Sequence, residues 1–242
     1  MADPAKLARR LEAELKRLGN PERAAGEKQY LKSDLSFYGV ALAEMRRLAK
    51  DVSRTAQVDH DDVLALAEEL WSKPVFERRM MAVILLELHA HELGPPDLRL
   101  IERLIRESNT WALVDGLAGD VVSTMALHHS IRQTLDRWAR DEDFWIRRSS
   151  LLAELKPLKS GASFEPFAKR ADAMLEEAEF FIRKAIGWVL REMSKKRPDE
   201  VYDWIAPRAH RASGVTMREV VRHLDTKRAE LLMRAYKARR PA

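Results

Sequence analysis

The stretch FFIRKAIGWVLREMSKK, residues 180–196, decides how the chain is read. Set on a helix at about 100° per residue, it gathers Ile182, Ala185, Ile186, Val189, Leu190 and Met193 into one apolar stripe. A helix with such a stripe buries it against other helices. Trp188, the largest apolar group of the stretch, lies off the stripe among Lys184, Arg191 and Lys195, with Phe181 beside it. Two explanations are open. The ring packs on a neighbouring helix while the cations run past it, or its face receives a ligand.

The helical period recurs outward from this segment, and no stretch alternates as a strand does. Asp3-Pro4 opens the first helix as N-cap and first-turn proline; Leu7, Leu11, Leu15 and Leu18 form its stripe, and Gly19 ends it. Asn20-Pro21 opens the next helix, and SDLSFYGV (33–40) is the first loop. Periodicity predicts further helices near 42–55, 60–72, 75–92, 96–107, 110–127, 131–140 and 142–157, then near 164–177, 179–196, 199–211, 215–224 and 226–238. Short helices joined by short turns imply stacked antiparallel pairs. Two neighbours span roughly 35–45 residues, the size of a helical-pair repeat. The expected architecture is all-α, an α-solenoid in one domain over residues 1–242, with a concave face toward which off-core residues point.

Composition narrows the function. The 242 residues are 46% apolar and 33% charged, as in a globular chain. With no cysteine, disulfides, thiolate zinc sites and cysteine nucleophiles are excluded. The opening MADPAKLARRLEAELKRLG lacks a secretory h-region and the longest apolar run, 80–86, is too short to span a bilayer, so a cytoplasmic protein without membrane contact is expected. Residues 1–144 carry 21 Lys+Arg against 25 Asp+Glu, whereas residues 145–242 carry 22 against 13, a balance of +9. Such asymmetry points to a polyanion partner, or to basic solvated helix surfaces.

Two more helices hold side chains off their stripes. In SNTWALVDGLAGDVV (108–122), Leu113, Val114, Leu117, Val121 and then Met125 form the buried stripe, and Trp111 and Asp115 are an i,i+4 pair on its edge. With Asn109 or Thr110 as N-cap, Asp115 lies near the positive helix end, which favours its ionised form. Gly116 and Gly119 thin this helix, either for a close-approaching ligand or for ordinary helix packing. In DFWIRRSSLLAELK (143–156), Phe144, Leu151, Leu152 and Leu155 make the stripe, with Arg148 in its middle. An inward arginine needs an anion, a carboxylate such as Asp115 or a bound phosphate. Tyr30 and Lys32 precede the first loop and Arg46 follows it. His89/His91 and His128/His129 lack the spacing of a metal site, and neither a P-loop, a dinucleotide-binding glycine set, a nucleophile elbow nor HExxH occurs.

Taken together, YLKSDLSFYGV, WALVD, FWIRRSSLLAELK and FFIRKAIGWVLRE resemble the AlkD-type DNA alkylation-repair glycosylases, in register from Pro21 to about Leu224. The resemblance implies HEAT-like repeats whose concave basic surface grips duplex DNA. It implies that Trp111, Asp115 and Trp188 meet the damaged nucleotide, with Arg148 and Lys156 on its backbone and Tyr30 and Arg46 at further contacts. The chain departs from the family pattern at ALAEM (41–45), which replaces a polar residue and a proline. Some members of the wider family bind DNA without excising bases.

The chemistry agrees with the resemblance. A purine alkylated at N3 or N7 is cationic, so its glycosidic bond is already weakened and no general acid is required. A carboxylate can stabilise the charge growing on the sugar and orient the attacking water, and aromatic faces attract the same cations. Lys184, Arg191 and Lys195 around Trp188 would then hold phosphates. The reading is a monomeric, cofactor-free and metal-free glycosylase acting on double-stranded DNA with alkylated bases. Its rival is a helical-repeat DNA-binding or scaffold protein of the same fold.

Overall fold

The computed structural model describes residues 3–56 and 58–238. Among them every regular element is helical, and the only strand-like pairing is a single parallel bridge between Ser36 and Val75. None of these helices is long and apolar enough to cross a membrane. The chain divides into two compact units, Met1–His128 and His129–Ala242.

The first unit contains α1 (Pro4–Leu18), α2 (Pro21–Leu31), α3 (Leu42–Ala56), α4 (His60–Trp71), α5 (Phe76–Leu88), α6 (Leu98–Glu107), α7 (Trp111–Gly116) and α8 (Ser123–His128). The caps follow the sequence. Asp3 accepts from the Lys6 amide and Asn20 from the Arg23 amide, each one residue before a first-turn proline. In α5, Met81, Ala82, Val83, Ile84, Leu85 and Leu86 are all buried, so this helix is enclosed rather than amphipathic. It receives α3, α4 and α7. By contrast α2 buries no side chain at all.

The loop at 33–40 is built around one carboxylate. Glu77, fully buried in the first turn of α5, accepts from the amides of Tyr38 (2.9 Å), Gly39 (2.6 Å) and Val40 (3.2 Å). Gly39 has φ +79°, and a Cβ there would stand 2.0 Å from the Asn20 carbonyl oxygen, so only glycine lets the loop lie on the start of α2. Beside it, buried Arg78 donates to Glu12 of α1 at 2.5 Å and to the carbonyls of Leu70 and Glu69. Burial alone would raise the Glu12 carboxyl, but hydrogen bonds from Lys73 and Lys16 and the charge of Arg78 outweigh it and bring it down to about 2.

The second unit contains α9 (Arg132–Trp138), α10 (Phe144–Leu152), α11 (Leu155–Lys159), α12 (Glu165–Ala173), α13 (Phe180–Ser194), α14 (Pro198–Ile205), α15 (Gly214–Val220) and α16 (Thr226–Lys237). The helix expected over 142–157 is two helices, since α10 ends at Leu152 and Pro157 lies within the short α11. α13 is central, with α10 on one side and α15 on another. Its expected stripe, from Ile182 to Met193, is buried throughout.

Candidate functional site

Residues 111–128 of the first unit form one helical run whose middle, Leu117–Val122, is wound as a π helix. Leu113, Leu117, Val121 and Met125 recur every fourth residue and are all fully buried. On an ideal α-helix Met125 would have drifted about 120° from Leu113. The wider π turn takes up the drift and keeps all four on the core. Trp111 and Asp115 occupy the edge of that stripe, both half-buried.

The entry to this helix is fixed from beneath. Ser108 is buried and donates to the Leu104 carbonyl (2.7 Å), Asn109 is left-handed (φ 48°), and Thr110 is the extended N-cap. Arg79 of α5 lies 5.0 Å over the Trp71 ring and donates to the Glu107 carbonyl at 2.6 Å, tying the turn before Trp111 to the core. Tyr30, 71% exposed at the end of α2, meets the Trp111 ring edge-on at 5.8 Å. Lys32, left-handed at φ 49°, caps α2 and is exposed. Of the two readings of Gly116, packing is the one observed: a Cβ there would come within 2.6 Å of Val83 Cγ1. Arg46 forks onto Glu87 (2.9 and 3.1 Å), and that hydrogen bond, with the Asp120 charge behind it, raises the guanidinium further.

Within the second unit, Arg148 is 2% exposed, as its position in the stripe of α10 requires. It donates to the Phe181 carbonyl oxygen at 2.5 Å and lies 5.7 Å from the Phe181 ring and 6.0 Å from the Trp188 ring. Phe144, Trp145 and Phe181 form an aromatic cluster, and Phe180, 52% exposed, meets Phe181 edge-on at 5.3 Å. Trp188 is half-buried, off the stripe. Lys156 is half-buried on α11.

The cations near Trp188 differ in their engagement. Lys184 and Arg191 both pair with Glu219 of α15, a carboxylate the sequence reading passed over. Burial pushes the Glu219 carboxyl up, but the Lys184 hydrogen bond and the charges of Arg191, Lys184 and Arg222 more than reverse it. Lys195, exposed, pairs with its i−3 neighbour Glu192 at 2.7 Å. The signal for Glu219 was available: an acid in MREVV between Met217 and Val220, both fully buried, is an inward charge and demands cations.

One further constellation has the distances of a catalytic triad. His89 Nε2 is 3.1 Å from Ser53 Oγ and His89 Nδ1 is 2.9 Å from Glu92. Ser53 sits in the last turn of α3, where carbonyls rather than amides point outward. An oxyanion forming there would meet the wrong end of the helix, and the chain of bonds is a tether between α3 and the end of α5. Among the described residues no group of three or more His, Cys, Asp or Glu side chains is placed to hold a metal ion.

The family model described as DNA alkylation repair enzyme matches residues 11–224. The chain therefore belongs to the DNA alkylation repair enzyme family, as the resemblance in its sequence implied. A solved structure described as a predicted DNA alkylation repair enzyme from Enterococcus faecalis is 26% identical, with a TM-score of 0.77 over 86% of this chain and 97% of that one. AlkD2 from Streptococcus mutans is similar at 18% identity and a TM-score of 0.59, covering 77% of this chain and 91% of its own. The crystal structure of smu.31 from Streptococcus mutans UA159 matches at 18% and 0.58, covering 76% and 93%. At that identity the last two speak for the fold alone. No match was found among curated proteins.

Proposed function

We propose that the protein is a DNA glycosylase that removes cationic N3- or N7-alkylated purines from duplex DNA. The observation that carries the reading is the edge position of Trp111 and Asp115, an aromatic face and a carboxylate one helical turn apart and half-buried. In the reaction the C1′–N bond breaks, its electron pair returns to the purine and cancels the ring's positive charge. The oxygen of water then bonds to C1′, and the proton it sheds passes to Asp115 and on to solvent. Asp115 has most to do when charge is greatest on the sugar, which is the transition state. Aromatic faces at Trp111 and Trp188 favour both the cationic base and the oxocarbenium.

Arg148, Lys156, Tyr30, Lys32, Arg46 and Lys195 are the proposed DNA contacts, on a basic face of HEAT-like helical pairs. The protein works as a monomer in the cytoplasm, with neither metal nor cofactor. The second reading, DNA binding without excision, is favoured by ALAEM at 41–45, where the family's polar residue and proline are replaced. Incubation with methylated duplex DNA separates the two. Release of free methylated purines, leaving abasic sites, is expected, and salt-sensitive binding without release would overturn the enzymatic reading in favour of the second.

A further inference from the structure

We infer that Glu219 is a positioning residue for Trp188, and that Lys184 and Arg191 serve this carboxylate rather than a DNA phosphate. On α13, with Lys184 at 0°, Arg191 falls at about −20°, Trp188 at about +40° and Gly187 at about −60°. Gly187 turns toward α15: a Cβ there would stand 2.7 Å from Glu219 Cβ and 3.1 Å from Thr216 Cα. The two helices thus approach closely one residue before Trp188. That contact delivers the Glu219 carboxylate between two cations that are two turns apart. One oxygen takes Lys184 and the other takes Arg191, while Arg222 stands 3.8 Å away.

Glu219 is only 3% exposed. A phosphate that drew both cations away would leave a buried carboxylate with Arg222 alone, 3.8 Å away, a larger penalty than an exposed phosphate contact returns. The cations therefore stay with Glu219. They flank Trp188 at i−4 and i+3, so holding their stems walls the ring on one side. Arg148, which donates to the Phe181 carbonyl, lies over the ring at 6.0 Å from its centroid. The indole is held at a fixed attitude, and the charges of Lys184 and Arg191 are spent on Glu219.

The inference rests on the proposed glycosylase reading only for its excision readout. Glu219→Gln, Lys184→Met and the double variant are compared with the unmodified protein on methylated duplex DNA. Affinity is followed across a salt series, with single-turnover excision and melting temperature alongside. Lys184→Met is expected to leave the slope of log affinity against log salt unchanged. Glu219→Gln is expected to lower excision at saturating DNA about tenfold while moving Kd less than twofold, the signature of a displaced group. The double variant is expected to be no slower than Glu219→Gln alone. A slope shallower by about one in Lys184→Met makes Lys184 a phosphate contact and overturns the inference. So does a Glu219→Gln protein that melts lower but excises normally. If the unmodified protein releases no purine the proposed function falls, and the Lys184→Met slope still decides the brace.

Discussion

The helix that carries Trp111 and the helix that carries Trp188 reach the same result by opposite means. Each holds a tryptophan half-buried beside a fully buried stripe. The first does so with apolar contact: Gly116 admits Val83, and a π turn keeps Leu117, Val121 and Met125 on the core. The second is a regular helix braced by charge, with Gly187 admitting Glu219 and two cations closing on it. A glycine on the helix of each off-stripe tryptophan thus marks a close approach in both, and what approaches differs. Apolar packing has no group to titrate, whereas a buried charge cluster responds to pH.

Each tryptophan has a carboxylate at i+4, Asp115 after Trp111 and Glu192 after Trp188, and Glu192 joins Lys195 and Arg191. Asp115→Asn is expected to lower single-turnover excision by about 10²-fold or more, with affinity for duplex DNA nearly unchanged or slightly tighter. A stable variant that excises at the original rate removes the carboxylate from the chemistry.

Acid tests the charge clamps next. The Glu12 carboxyl is brought down to about 2 from the 4.5 of an unperturbed glutamate. Its folded value is depressed, so its contribution is fully present above about pH 4.5 and is lost as pH falls toward 2. The whole shift is worth on the order of 3 kcal/mol. Melting followed from pH 7 to pH 3 should show the first unit weakening through that window. In Glu12→Gln the same window should be flatter from a lower starting point, and an unaltered pH profile would refute the clamp.

Alanine at the two glycines sharpens the contrast further. At Gly187 the new methyl meets Glu219 Cβ at 2.7 Å, Glu219 Cγ at 3.1 Å and the Thr216 backbone at 3.1 Å. At Gly116 it meets chiefly one Val83 methyl. Overpacking costs about 1–3 kcal/mol, and the gain in helix propensity returns about 1. Gly187→Ala should therefore lose about 2 kcal/mol and Gly116→Ala about 1 or less, measured by denaturant melts of each variant. The reverse order would contradict the packing described. The smallest effect belongs to Tyr30→Ala. Its ring is exposed, and its edge-on contact with Trp111 is worth under about 1 kcal/mol, so a loss of several kcal/mol would mean that α2 packs more firmly than its surface implies.

Much of this was legible in the residues themselves. The stripes at 182–193 and 113–125 and the inward Arg148 follow from spacing alone, because a buried face must repeat with the helix. Trp111 and Trp188 were visible for the complementary reason, as bulk off the stripe. Other features depend on partners far along the chain. Nothing local to Lys184 and Arg191 reveals that Glu219 claims them, and Glu77 reads as a common first-turn acid until its three amide donors are seen. The π turn lay between, since the four-residue spacing of Leu113, Leu117, Val121 and Met125 signals it to a reader testing a longer period. The break at Ala153 and Glu154 needed the weight of Pro157 against an otherwise unbroken stripe.

The carboxylate of Glu77 also sets an order of events during synthesis. The loop leading out of α2 takes its shape from a residue about 46 positions beyond Leu31. A ribosome adding roughly 5–20 residues per second needs roughly 2–9 s to cover that distance. For that interval α2, which buries no side chain and is shorter than helices that persist alone in water, has nothing to fold against. The loop at 33–40 stays unshaped for the same interval, and the emergence of the first turn of α5 supplies the carboxylate that fixes it.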